Sequence, residues 1–185
     1  MLKIAVIIGS TRPNRKGEKI AKWFYDIAKK RTDAGFELVD IKDYQLPLLD
    51  EPISASQGKY SKEHTIKWAA KIAGFDGYVF VTPEYNHGTC AALKNALDFL
   101  YAEWNNKVAG FVGYGGSGGT RAVEQLRTTL SELQIAHVRA QVAISTRTDY
   151  DQDEFKPASH HEKTIKIMLD QVISWGNALM TVRKK

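Results

Sequence analysis

Thr82-Pro83-Glu84-Tyr85-Asn86-His87-Gly88 stands between an apolar run, Gly77-Tyr78-Val79-Phe80-Val81, and a helical run from Thr89 to Tyr101. A short, continuous apolar run bounded by turn residues reads as a strand buried on both faces. Proline lacks an N–H and holds the residue before it extended, so the strand is expected to end at Thr82. The chain then restarts as a helix, leaving backbone amides, the Tyr85 ring and the Asn86 amide at the strand's carboxyl end. In an open parallel sheet, ligands sit at that end.

Working outward, the same strand, loop and helix unit recurs along the chain. Lys3 to Ile8 is a β-branched apolar run, and Gly9 to Gly17 is a loop by its Gly, Pro and Asn content. Ile20, Ala21, Phe24, Ile27 and Ala28 follow at helical spacing up to about Arg31, and Phe36 to Ile41 is a second strand. An irregular stretch, Lys42 to Lys59, precedes a helix from about Ser61 to Ala73 and the third strand, Asp76 to Thr82. Leu93, Ala96, Leu97 and Leu100 mark the face of the next helix. Val108 to Tyr114, a glycine loop to Gly119, a helix from Ala122 to Leu133, a strand from His137 to Ile144 and a helix from His161 to Met180 complete the pattern. Five strands alternating with five helices predict an α/β three-layer sandwich around a parallel sheet. Five strands favour the flavodoxin-like order 2-1-3-4-5, which reverses between the first and third strands. No repeat or linker divides the 185 residues, so residues 1–185 are expected to form one domain.

Composition narrows the possible roles. Apolar residues make up 43% and charged residues 25% of the chain, an ordinary globular balance. Cys90 is the single cysteine, which excludes an internal disulfide and fits a reducing cytoplasm. No signal peptide opens the chain and no run reaches the roughly 18 apolar residues of a membrane helix, so a protein without a membrane partner is expected. The net charge of +5 is spread among acids and accompanies no nucleic-acid motif, so no nucleic-acid partner is expected. Arg183-Lys184-Lys185 reads as a solvated tail. The local enrichment of Arg12, Arg15, Lys16, Lys19 and Lys22 bears on function. His160 and His161 lack the i, i+4 spacing of a metal pair, and no metal is expected.

The two loops that meet at the predicted reversal differ in chemistry. Gly9-Ser10-Thr11-Arg12 suits a phosphate: a helix N-terminus offers free N–H groups, Ser10 and Thr11 offer hydroxyls, and Arg12 or Arg15 can clamp two phosphate oxygens. The competing reading is a Ser10 cap with arginines in water. The Pro83-Glu84-Tyr85-Asn86 loop suits a flat, polar-edged ring, with Tyr85 on its face and Asn86 at its edge. Here the competing readings are a core tyrosine and a left-handed turn asparagine. Gly113, Gly115 and Gly118 match G-x-G-x-x-G, but after the fourth strand and without the acid that the dinucleotide pattern requires. That loop reads instead as a second backbone wall for the ring, with Gly115, Gly116 and Ser117 as its donors. Arg121 is either a nucleotide-phosphate ligand or a surface residue.

These stretches resemble the NADPH-dependent FMN reductase family of flavodoxin-like quinone, azo and chromate reductases. Gly9 to Arg15 resembles its G-S-x-R-x-x-R loop, and Leu46-Pro47-Leu48-Leu49-Asp50-Glu51-Pro52 its L-P-L-x-D-E-P segment. Pro83 to Gly88, Leu93 to Asp98 and Gly118 to Arg127 follow its P-E-Y-N-H-G, L-K-N-A-L-D and glycine-helix motifs. Relatives often carry a small residue and proline where this chain has Thr89-Cys90.

The resemblance implies FMN held through Ser10, Arg12 and Arg15 at the phosphate and through Pro83 to Asn86 and Gly115 to Ser117 around the isoalloxazine. It implies a homodimer, or a dimer of dimers, with the helix after residue 89, Tyr101 and Trp104 at the contact. It also implies that NADPH or NADH passes hydride to the flavin N5 and that a quinone or similar acceptor takes two electrons in a ping-pong cycle. No protein nucleophile is required. His87 is a candidate proton donor to the acceptor, and Cys90 is either an activated or a packed thiol. A flavodoxin-type electron carrier and an FMN-binding redox regulator are the alternatives; carriers of that kind are acidic, whereas this chain is basic.

Overall fold

Alternate side chains of a strand point to opposite faces, and strand β1 (Leu2–Ile8) shows the consequence in the computed structural model, which describes residues 1–183. Leu2, Ile4, Val6 and Ile8 enter one apolar cluster, while Ala5 and Ile7 enter the other. Both faces of the strand are therefore covered from Ile4 onward, which is why its sequence is apolar after the exposed Lys3. Strands β2 (Ala34–Asp40), β3 (Gly77–Tyr85), β4 (Lys107–Gly115) and β5 (Ile135–Ser145) join it in the parallel order β2-β1-β3-β4-β5, as the alternation predicted. Helices α1 (Lys16–Ala28) and α5 (His160–Arg183) cover one face; α2 (Glu63–Ala73), α3 (Ala91–Asp98) and α4 (Thr120–Glu132) cover the other. Among the described residues, no helix is long and apolar enough to cross a membrane.

Several boundaries differ from the sequence expectation. Helix α1 starts at Lys16, inside the predicted loop, and Gly17 belongs to it. The strand expected to stop at Thr82 continues to Tyr85, and α3 ends at Asp98 rather than Tyr101. Trp104, expected on a contact surface, is fully buried. Its ring packs on Tyr78 and Trp68, and its indole N–H donates to the Leu97 carbonyl at 3.2 Å. Trp68 likewise donates to the Ala96 carbonyl at 2.8 Å, so two tryptophans satisfy carbonyls in the last turn of α3. The irregular stretch after β2 is held from α3 as well: the Asn95 amide donates to the Pro47 carbonyl at 2.6 Å and accepts from the Leu49 N–H at 2.9 Å.

The amino-terminal edge of the sheet is tied down by charge. Arg183, expected in a solvated tail, donates to Asp76 at 2.5 Å and to the Asn106 carbonyl at 2.9 Å; Lys184 and Lys185 lie outside the described residues. Beside it, buried Lys107 donates to the Ile72 carbonyl and the Tyr78 hydroxyl, each at 3.1 Å. Burial, with the Arg183 charge adding to it, pushes the Lys107 ammonium down to about 8. Between about pH 8 and the ordinary value of 10.5, the unfolded chain binds this proton and the folded chain does not, so stability rises with pH across that window. Chemical denaturation from pH 8 to 10 should show Lys107→Met climbing less steeply than the parent chain, by up to about 1.4 kcal/mol per pH unit. Parallel pH profiles would contradict the burial of that charge.

Candidate active site

The loops after β1 and β3 meet at the carboxyl end of the sheet, where the chain order reverses. Gly9 donates to the Val81 carbonyl at 2.9 Å, holding the first loop against β3. Ser10 is 2% exposed, and its hydroxyl lies 3.1 Å from the Tyr85 hydroxyl. The Arg12 N–H donates back to the Ser10 hydroxyl at 3.3 Å, which curls the loop. Arg15 has its guanidinium spent inside the protein: it forks onto both carboxylate oxygens of Asp40 at the end of β2 and donates to the Ser10 carbonyl at 2.7 Å. No side chain caps the α1 N-terminus, and among the described residues the exposed Arg12 makes no ion pair. The loop thus presents free N–H groups and one free guanidinium, which is what an anion requires.

The second loop is a hairpin, correcting the clean strand end expected at Thr82. The Gly9 bond places the Val81 backbone groups toward β1, and residue parity places those of Pro83 on the same side, beyond the last β1 residue, Ile8. The missing proline N–H is therefore one that β1 would never have received. Tyr85 pairs with Gly88 through a two-residue turn in which Asn86 (φ 49°) and His87 (φ 66°) are both left-handed. Tyr85 is 38% exposed, so it is not a core residue.

Glu84 borders the crevice, and its carboxylate serves α4. Its carboxylate accepts from the Arg121 N–H at 3.1 Å and from the Arg121 Nε at 2.6 Å, supplying the cap that Gly119 lacks. Burial pushes the Glu84 carboxyl up, but the bonds from Arg121 outweigh it and hold the group below the ordinary carboxylate value. Arg121 also donates to His87 Nε2 at 3.0 Å, so that ring nitrogen accepts and carries no proton to give. Arg121, weighed from sequence as a phosphate ligand or a surface residue, is committed to these two partners.

The third loop closes the site. Gly119, at φ 68°, folds onto the Tyr114 N–H so closely that a Cβ would stand 2.4 Å from it. A cleft of about 510 Å3 lies where the three loops meet, walled by Arg12 to Lys16, Pro83 to Tyr85, Tyr114 to Gly116 and Thr146. Its size falls in the range of small-molecule sites. Of the predicted residues, Arg12, Arg15, Pro83, Glu84, Tyr85, Gly115 and Gly116 line it, with Ser10 buried behind Tyr85. Asn86 and Ser117 are exposed and stand outside the wall. Tyr114 and Thr146 were missed. Tyr114 sits in an apolar strand and reads as core, whereas Thr146 follows the carboxyl end of β5, where the strand-end rule would have found it.

This wall fits a flavin mononucleotide. The Tyr114 hydroxyl is buried without a hydrogen-bond partner and borders the cleft, a polar atom awaiting one. Gly17 gives way to it: a Cβ there would stand 2.4 Å from the hydroxyl. Glycines form the opposite wall, and the uncapped helix lies at one end. Cys90 is the packed thiol rather than the activated one. It donates to the Gly9 carbonyl at 3.2 Å, and burial pushes its thiol up, keeping it protonated.

Fold and cleft together define a flavodoxin-like α/β protein with a cleft of small-molecule size at the switch point. Residues 2–149 match the model of the NADPH-dependent FMN reductase family, and the chain belongs to that family. It is accordingly an NAD(P)H-dependent oxidoreductase with FMN as cofactor. An NAD(P)H-dependent FMN reductase of Schizosaccharomyces pombe is 47% identical over 135 residues, covering 72% of this chain and 68% of the relative. A second, from Saccharomyces cerevisiae, is 37% identical, covering 72% and 76%. A quinone reductase of Pseudomonas putida is 31% identical, covering 66% and 67%. Among solved structures, the FerB NAD(P)H:acceptor oxidoreductase of Paracoccus denitrificans superposes with a TM-score of 0.75 over 96% of this chain and 98% of its own, at 22% identity, and shares the fold.

Glu84→Gln keeps the side chain's shape and removes the charge on which Arg121 and the α4 N-terminus depend. Urea titration should show a loss of about 1–3 kcal/mol, and an unchanged midpoint would contradict the capping role.

Proposed function

We propose that this chain passes hydride from NADPH or NADH, by way of the flavin, to quinones or similar acceptors, free flavin, azo compounds and chromate among them, in a ping-pong cycle. One observation carries the reading: the 510 Å3 cleft has an uncapped helix and a free arginine at one end and an aromatic and glycine wall at the other. FMN, when bound there, supplies the two-electron chemistry at its N5.

The chain's own residues bind and orient. Arg12, the Ser10 hydroxyl and the α1 N–H groups hold the phosphate. Arg15, already engaged by Asp40, acts by fixing the Ser10 carbonyl and with it the loop. Tyr85 packs against the ring face, and the backbone N–H groups at Gly115 and Gly116 are the donors available to a ring edge that gains negative charge. Asn86 and Ser117 stand at the rim, where an acceptor enters. His87 gives no proton from the nitrogen turned to Arg121.

A homodimer, or a dimer of dimers, completes the proposal. Leu48 is 83% exposed, Leu49 48% and Ile53 37%, an apolar edge that Asn95 bonds hold at Pro47 and Leu49.

Anaerobic addition of NADPH alone should bleach the yellow protein within the mixing time, and steady-state rates with a benzoquinone should give parallel double-reciprocal lines. No bleaching without a partner reductase would make the protein an electron carrier; bleaching without turnover would make it a regulator. Arg12→Ala should weaken FMN binding about 10- to 100-fold, read by fluorescence quenching. Unchanged affinity would refute the phosphate assignment.

A further inference from the structure

A second groove, of about 710 Å3, runs from the phosphate loop along α1. It shares Arg12 to Lys16 with the cleft and continues past Lys19 and Lys22, with Lys42 also in its lining. At 1.5 Å per residue, the step from Arg15 to Lys22 carries it roughly 10 Å beyond the loop. Six cations line it against two acids, Glu18 and Asp153. Two of the six are compensated: Arg15 by Asp40, and Lys22 by Glu18 at 2.6 Å. Among the described residues, Arg12, Lys16, Lys19 and Lys42 make no ion pair. Lys16 is held 4.1 Å above the ring of Tyr150, whose buried hydroxyl has no hydrogen-bond partner.

A flavin phosphate at the loop neutralises Arg12 and the helix terminus. It leaves Lys19 and Lys42, both exposed and both lining the groove, with nothing to bind. We propose that this groove is the subsite for the 2′-phosphate and adenosine of NADPH, with Lys19 and Lys42 as the residues that distinguish NADPH from NADH. The charge decides between nucleotides. A phosphate monoester carries about −1.5 to −2 at neutral pH, and of the molecules the cleft reading brings to this surface only NADPH has one to spare. The pyrophosphates of NADH and of a dinucleotide flavin are diesters, with a single negative charge on each phosphorus. The groove's continuity with the cleft lets one extended dinucleotide place its nicotinamide at the ring wall and its phosphorylated ribose between the two lysines.

This inference rests on the flavin reading of the cleft, and the test separates the two. Oxidised, FMN-loaded protein is titrated calorimetrically with NADP+ and with NAD+, for the parent chain and for Lys19→Ala/Lys42→Ala. The parent should bind NADP+ at least about tenfold more tightly, as one or two charge-assisted bonds require. The double variant should lose that preference, keep its NAD+ affinity within about twofold, and retain its flavin content and visible spectrum. Equal affinities in the parent, or a preference that survives the double substitution, would overturn the subsite. Loss of flavin from the double variant would assign the lysines to the FMN phosphate and overturn it as well. So would FAD binding that weakens in the variant while NADP+ binding does not. A parent chain that takes up no flavin defeats the reading of the cleft, and the same titration of that chain still decides the groove.

Discussion

Strand β3 continues from Thr82 to Tyr85 after its neighbour β1 has ended at Ile8, so four residues of backbone extend past the pairing that holds the rest of the strand. On the other side β4 keeps pace, pairing Thr82 with Gly113 and Pro83 with Tyr114. On the bare side, proline removes one donor, and Gly88–Thr89 folds back to pair with Glu84 and Tyr85. The gap between the β1 loop and this hairpin is the crevice. Its mouth is fixed by the Ser10–Tyr85 hydroxyl contact on one side and by the Glu84–Arg121 pair on the other. Both contacts depend on the overhang, because Tyr85 and Glu84 reach their partners only while the strand stays extended.

The charges around the crevice divide into two kinds. Arg15 and Arg121 are each engaged by a mostly buried carboxylate, at Asp40 and Glu84, and they fix loops to the sheet and to α4. Removing one partner of such a pair leaves the other desolvated, so these pairs matter more to shape than to net stability. Arg12, Lys16, Lys19 and Lys42 lie outside this scheme. Paired charges place the backbone, and free ones remain for ligand anions. These four unpaired cations, Arg12, Lys16, Lys19 and Lys42, line one groove beside the phosphate loop.

The fold was legible because every central strand is buried on both faces. Ile4 to Ile8 and Tyr78 to Val81 are continuous apolar runs, and the helices between them carry one apolar stripe each. The two crevice loops were legible for a related reason: Ser, Arg, Tyr and Asn at strand ends have no core to serve. The hairpin was hidden because the rule that proline ends a strand is silent on which neighbour the missing N–H would have faced. Trp104 was misplaced because an aromatic beyond a helix end looks the same in sequence whether it folds back onto Tyr78 or outward. The partners of Arg15 and Arg121 lie 25 and 37 positions away, at Asp40 and Glu84, and no local pattern links them. Tyr114 was passed over because its ring belongs to the apolar cluster while its hydroxyl does not.

Central to the proposed function is a phosphate held at Gly9 to Lys16 with a ring against Tyr85 and Gly115. Titrating the flavin-free protein with FMN and with riboflavin, which differ only in that phosphate, tests it most directly. FMN should bind at least about 100-fold more tightly, the worth of a charged phosphate on an arginine and a helix N-terminus. Equal affinity for the two would mean that the loop after β1 does not hold the phosphate, and the arrangement proposed for the cleft would fall with it.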